Sequence, residues 1–168
     1  MDDLDDMDHR IVTALRACGT DPRVAGAARA LSWAGEHGAL WLAAGLTAAA
    51  VDAPRRTAWL RGTALTAGAH LASMGVKRVV RRPRPAHVVP LVRTAGRHSF
   101  PSSHATSATA AAVVFGALGV RAAWPLAAAV CASRLVAGVH YPSDVAAGAA
   151  LGALTARLGA DWMRGGTR

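Results

Sequence analysis

Apolar residues along this chain gather into blocks separated by short polar or basic turns, and no run of alternating positions marks a strand. Five blocks are legible, at 34–51, 58–76, 101–119, 123–139 and 144–161. Each approaches the ~17–25 residues that a helix needs to cross a hydrocarbon core. The pattern predicts an all-α, integral membrane helical bundle of about five transmembrane helices. Ahead of it, residues 9–31 read as amphipathic and break at Gly19-Thr20-Asp21-Pro22, where Asp21 and Pro22 make a helix start. This predicts a short N-terminal interfacial helix, with an acidic, amphipathic segment at 1–33 and a transmembrane domain at 34–168.

Details of the blocks sharpen that picture. Glu36, His37, Arg61 and His70 interrupt the first two blocks. His70 sits deepest and should face protein, either lining a site or packed in the core. Trp33, Trp59, Trp124 and Trp162 fall at block ends, where an amphipathic ring favours a membrane interface, and Trp41 does not. The last three blocks are rich in Ala, Gly, Ser and Thr, including Gly148-Ala149-Ala150-Leu151-Gly152, which suits close packing of helices within the chain.

Composition changes the picture in three ways. Apolar residues make up 52% of the chain and charged residues only 17%, too few charges for an ordinary soluble domain of this size. The formal charge is +9, which raises nucleic acid as a partner. However, the basic residues sit between apolar blocks and aromatics are only 5%, so no base-stacking platform is available and nucleic acid is excluded. Cys18 and Cys131 fall in no metal or disulfide pattern. Asp2, Asp3, Asp5, Asp6 and Asp8 make the N-terminus the opposite of a signal peptide, so insertion must use segments that stay in the protein.

Candidate chemistry concentrates in three segments at the edges of the blocks. The connection 77–100 carries Lys77, Arg78, Arg81, Arg82, Arg84, Arg93 and Arg97, and a loop of this length is usually functional. Lys77 and Arg84 are seven residues apart, so a helix continuing from the second block would bring them to a similar face. A lysine point charge beside an arginine fork suits a phosphoryl group, and the same residues also suit lipid headgroups at a membrane flank. Pro101-Ser102-Ser103-His104 reads as the first turn of a helix, whose amides and Ser102 hydroxyl would hold an anion beside the His104 acid, or as a plain helix cap. Arg134 lies near the end of the fourth block, His140 follows, and Pro142 restarts a helix with Asp144 in its opening turn. Asp144 would then orient His140 as a nucleophile, or form a buried ion pair with an incidental histidine. These groups need no metal ligand and no cofactor.

The pattern Lys-x6-Arg-Pro, Pro-Ser-x-His, Ser-Arg-x5-His-x3-Asp over residues 77–144 resembles the type 2 phosphatidic acid phosphatase (PAP2) superfamily, which also includes vanadium haloperoxidases. The resemblance implies that Lys77, Arg84 and Arg134 bind phosphate together with Ser102 and the amide of Ser103. It implies that His104 protonates the leaving group, His140 attacks phosphorus and Asp144 supports His140. The family's usual glycine at the third place of the second motif is Ser103 here, which narrows the surroundings of the phosphate. The function implied is metal-independent hydrolysis of a lipid phosphomonoester or pyrophosphate through a phosphohistidine. A non-catalytic or partner-dependent membrane protein that binds lipid phosphates is the rival. The chain is short for a vanadate-dependent oxidase, and its apolar blocks argue against a soluble acid phosphatase. Polyprenyl diphosphate, a polyprenyl-phosphoryl sugar phosphate, phosphatidic acid and phosphatidylglycerol phosphate all fit the same anion site, and a cell-envelope polyprenyl substrate is the first expectation.

Charge also bears on sidedness. With the motif loops set aside, Arg55, Arg56 and Arg61, then Arg121, then Arg157, Arg164 and Arg168 fall at alternate ends of the five blocks, hence on one side of a membrane. The positive-inside rule makes that side cytoplasmic. The expected location is the bacterial cytoplasmic membrane, with the three motifs on the extracytoplasmic face.

Overall fold

A computed structural model of the chain describes residues 2–94 and 96–165, so Arg168, invoked for sidedness, lies outside them. Among the described residues, α1 (Asp2–Cys18), α2 (Pro22–Ala34), α3 (Ala39–Val51), α4 (Arg56–Val80), α5 (Ser103–Ala117), α6 (Ala123–Val136), α7 (Pro142–Leu158) and α8 (Ala160–Arg164) follow in order. They contain no strand, only an isolated bridge between Pro83 and His98.

Every apolar block holds a helix, but the turns consume the block ends. His37 (φ 52) and Gly38 (φ 74) break the first block, leaving α3 with 13 residues. Ser102 stands outside α5 as its cap, and Gly138 (φ 69) turns the chain after α6. Consequently α5, α6 and α7 have 15, 14 and 17 residues. Only α4, with 25 residues, reaches about 37 Å, and it carries Arg56, Arg61, Lys77 and Arg78. No helix of the described residues is long and apolar enough to cross a membrane.

Helix α5 forms the centre. Its residues Ala105, Ala108, Ala110, Ala111, Ala112, Val114 and Phe115 are buried on all sides, the pattern of a helix enclosed by others. It packs against α7, α6 and α4 and touches α3. Alanine and glycine make this approach close. A Cβ on Gly148 would stand 2.5 Å from the Ser102 carbonyl oxygen, and one on Gly152 would stand 2.1 Å from that of Thr106. At the far end, Trp59 packs edge-on against Phe115 (5.4 Å) and donates to Asp52 Oδ2 (3.0 Å), so this tryptophan is core and not an interfacial ring.

Helices α3 to α7 alternate in direction, so the bundle has two distinct ends. At one, Arg55 donates to the Leu118 carbonyl and Arg61 to that of Trp162. At the other lie the end of α4, the start of α5, the end of α6 and the start of α7, and with them all three motif segments. Asp21 caps α2 by accepting from the amides of Arg23 and Val24. Both α1 and α2 pack on α6, and α1 also reaches α7.

The α5–α7 contact yields the first prediction. Gly152→Ala forces backbone apart and should cost about 1–3 kcal/mol, read as a lower thermal midpoint. Gly26→Ala, in α2 with nothing within 4 Å of the added carbon, should leave the midpoint unchanged or raise it.

Candidate active site

The site is built on the ends of four helices and the loop between α4 and α5. Lys77 occupies the last turn of α4 and is almost fully buried. Its ammonium donates to the carbonyls of His98 (3.3 Å), Ser99 (3.1 Å) and Pro101 (2.8 Å), tying the loop to the helix end. The helix stops three residues later because Pro83 disfavours helical backbone at Arg82, and the chain leaves through Arg81 at φ 53. Arg84 therefore arrives on an extended segment and not along the α4 face. Its guanidinium donates to Gly96 O (2.9 Å) and Val139 O (2.8 Å) and lies 3.3 Å from His140 Nε2.

Helix α5 begins at Ser103, so Pro101 precedes the first turn instead of forming it. Ser102 is fully buried; its hydroxyl accepts from Ala105 N (3.4 Å) and its amide donates to Asp144 O (2.9 Å). The hydroxyl expected to hold anion caps the helix through a lone pair, which leaves its own proton to donate. The amides of Ser103 and His104 form the open N-terminus, the part of a helix that suits an anion. His104 Nε2 lies 3.0 Å from the Ser32 carbonyl, and 4.0 Å from Glu36 Oε2. A carbonyl only accepts, so this nitrogen carries a proton. Gly35 lies against the ring, where a Cβ would stand 2.9 Å from His104 Cδ2.

Arg134, in the last turn of α6, is 2% exposed and donates to the Ser32 hydroxyl. Its Nε is buried without a partner. Beyond α6, His140 is also 2% exposed, with Nδ1 3.5 Å from Asp144 Oδ2. That is ion-pair distance, although the hydrogen bond is not closed in this geometry. Arg84 has no acceptor, so His140 Nε2 presents its lone pair and Nδ1 carries the proton toward Asp144. Asp144 sits at the third position of α7 and accepts from Tyr141 N (2.8 Å) and Arg82 (3.1 Å).

A partly open cleft joins these groups. Lys77, Arg84, Ser103, His104, Arg134 and His140 line it, and Ser102 and Asp144 stand behind. Three cations and two histidines thus converge on one cavity, suited to a tetrahedral oxyanion. Its remaining wall includes Glu36, His37, His70 and Met74. Among the described residues no three His, Cys, Asp or Glu side chains come together as a metal-ligand set.

A sequence model of the PAP2 superfamily matches residues 57–168, two thirds of the chain. This chain belongs to the PAP2 superfamily. The decaprenylphosphoryl-5-phosphoribose phosphatase of Mycolicibacterium smegmatis is 45% identical over 141 residues, covering 82% of this chain and 78% of the relative. The protein of that name from Mycobacterium tuberculosis is 43% identical over 147 residues, covering 85% and 83%. Among solved structures, the transmembrane PAP2-type phosphatidylglycerolphosphate phosphatase of Bacillus subtilis shares the fold, with a TM-score of 0.86 at 23% identity. That likeness covers 100% of this chain and 90% of the other.

Around the PAP2 motifs the structure adds groups that their spacing does not reveal. Ser32 of α2 contacts both Arg134 and His104, yet a lone serine in an apolar stretch carries no signal. Arg82, one of several arginines in a basic run, reaches Asp144. His70 lines the cleft from α4, with its Nδ1 buried and unpaired.

Burial pushes the His140 imidazole down to about 3, with Asp144 opposing the shift and Arg84 and Arg134 adding to it. Folded protein therefore keeps His140 neutral where the unfolded chain protonates it, and stability is lost as pH falls below the ordinary histidine range toward 3. The thermal midpoint of the purified protein should fall over that interval, and His140→Asn should flatten part of the slope. An unchanged slope in the variant would contradict the burial of a neutral ring.

Proposed function

We propose that this chain is a metal-independent lipid phosphate phosphatase whose substrate is a polyprenyl-phosphoryl sugar phosphate and whose nucleophile is His140. The observation that carries the reading is the placement of His140 between Asp144 on its Nδ1 side and Arg84 on its Nε2 side, at a cleft that Arg84, Arg134 and Lys77 make cationic. In the first step the Nε2 lone pair attacks phosphorus as the bond to the ester oxygen breaks. His104, entering the step as the imidazolium, delivers one proton to that oxygen and becomes neutral, giving the free alcohol and phospho-His140. In the second step neutral His104 takes a proton from water, whose oxygen attacks phosphorus. The P–N bond then breaks, its electrons return to Nε2, and inorganic phosphate leaves. The cations face charge that builds on the phosphoryl oxygens in both steps, which is where preorganised electrostatics contribute most. The Ser103 and His104 amides support the same oxygens.

Two observations support a sugar-bearing substrate. The two mycobacterial relatives are decaprenylphosphoryl-5-phosphoribose phosphatases. In addition, the wall next to His104, where the leaving group must sit, is polar: Glu36, His37 and the unpaired nitrogen of His70. A bare prenyl or acyl chain would leave those groups unmatched, whereas sugar hydroxyls both donate and accept.

The bundle lies in a bilayer on this reading. Leu46 and Val51 of α3, Leu60 and Leu71 of α4, and Leu154 and Leu158 of α7 are exposed on its outside. Trp33, Trp124 and Trp162 are exposed as well. Short helices are accommodated where the bilayer thins locally. Arg55 and Arg61 at the end away from the site favour an extracytoplasmic cleft.

Phosphate release should persist in EDTA, and His140→Ala should reduce it by more than about a thousandfold. A polyprenylphosphoryl phosphoribose should be preferred to polyprenyl diphosphate and to phosphatidic acid. Glu36→Gln and His70→Phe should each lower that preference by roughly tenfold or more, the worth of one hydrogen bond to a charged or buried group. Release that requires a divalent ion, or that survives in His140→Ala, would overturn the mechanism. Equal rates on all three lipids would overturn the substrate class.

A further inference from the structure

Helix α1 lies ahead of the residues that match the superfamily, yet one of its side chains is buried against the catalytic end of α7. Asp8 is 3% exposed. One carboxylate oxygen accepts from Ser143 N (3.0 Å), and the other accepts from the Ser143 hydroxyl and from Arg82 (2.9 Å). Asp8 thus caps α7 from another helix, placing a negative charge at the positive end of its dipole. This is the turn that holds Asp144 in place.

Arg82 is the second part of the connection. One arm of its guanidinium donates to Ser143 Oγ (2.6 Å) and Asp144 Oδ1 (3.1 Å). The other donates to Asp8 and, at 3.3 Å, to Asp5. The plane rests over the Tyr141 ring at 4.2 Å. Arg82 lies outside the Lys77, Arg84 and Pro85 positions of the first motif. Its charge occupies one oxygen of Asp144 and leaves the other for Tyr141 N and His140. The opposing charge of Asp8 keeps that guanidinium from drawing fully on Asp144.

We infer that Asp8, acting through Arg82 and Ser143, positions Asp144 for His140, so that α1 is a working part of the active site. The role is one of positioning, since neither Asp8 nor Arg82 lines the cleft. It rests on His140 being the nucleophile. As His140 attacks, its ring gains positive charge that Asp144 must face. A carboxylate that is displaced, or drawn more strongly by Arg82, stabilises that charge less. The loss falls on the chemical step and leaves phosphate binding by Lys77, Arg84 and Arg134 in place.

The test measures kcat and KM for Asp8→Asn, Arg82→Gln, Arg82→Lys and the Asp8→Asn/Arg82→Gln double variant. The fraction of protein that binds vanadate gives the properly folded sites. Asp8→Asn and Arg82→Gln should each lower kcat per folded site by about tenfold or more, with KM within about twofold. The double variant should be no worse than the poorer single one, as expected of one connected network. Arg82→Lys should recover only part of the rate, because a point charge cannot bridge Asp8 and Asp144 as the fork does. Asp6→Asn, on the same helix with its partner Arg10 exposed, should behave as the unaltered protein. A kcat per folded site within about twofold of the unaltered protein for Asp8→Asn, or losses that add in the double variant, would overturn the inference. A fully active His140→Ala protein would instead overturn the reading on which it rests.

Discussion

A fully buried carboxylate must have its charge matched by neighbours, because an ion without a partner in the interior costs several kcal/mol. Asp144 is that group here, with none of its surface exposed. Its Oδ2 takes the Tyr141 amide and faces His140, its Oδ1 takes Arg82, and its main-chain carbonyl takes the Ser102 amide. One residue therefore joins the start of α7 to the cap of α5 and to the segment after α4. The glycines that bring α7 against α5 serve the same constraint, since a Cβ on Gly148 would press on the Ser102 carbonyl. The alanine-rich packing of the bundle brings its catalytic end together.

On the other side of His140 the requirement is reversed. Lys77, Arg84 and Arg134 share one cleft, and like charges at close quarters repel. Neutral oxygens offset this: three carbonyls on Lys77, two on Arg84, and the Ser32 hydroxyl on Arg134. These contacts hold the cations in place, and on the proposed reading an entering phosphate supplies the missing negative charge. The same field, together with burial, keeps His140 neutral and its lone pair available.

Much of this was legible in the sequence, for reasons that differ by element. The helices follow from apolar blocks, and the break at Asp21-Pro22 follows from cap chemistry. Lys77, Ser103, His104, Arg134 and His140 share the cleft because helix ends carry or adjoin them, whereas Arg84 joins them on an extended segment that its spacing from Lys77 does not reveal. Three features were not legible. Block length overstated helix length, because Ser102, Gly138 and the pair His37-Gly38 lie inside the blocks yet form a cap and two turns. The Ser102 hydroxyl could not be assigned to cap or anion until the α5 start was located. Asp8 and Ser32 act across 135 and 102 residues of sequence, on Ser143 and Arg134. An acidic N-terminus looks the same whether its charges are solvated or buried against another helix.

The most direct measurement traps the covalent intermediate. His104→Ala can be mixed with a substrate whose leaving group needs no proton, then quenched in alkali and mapped by mass spectrometry. The first displacement should proceed while the second, which needs His104 as base, stalls. Phosphate is expected on His140, accumulating well beyond its level in the unaltered protein and absent when His140 is also replaced. Turnover with no phosphate on His140, or with phosphate on another side chain, would contradict the account.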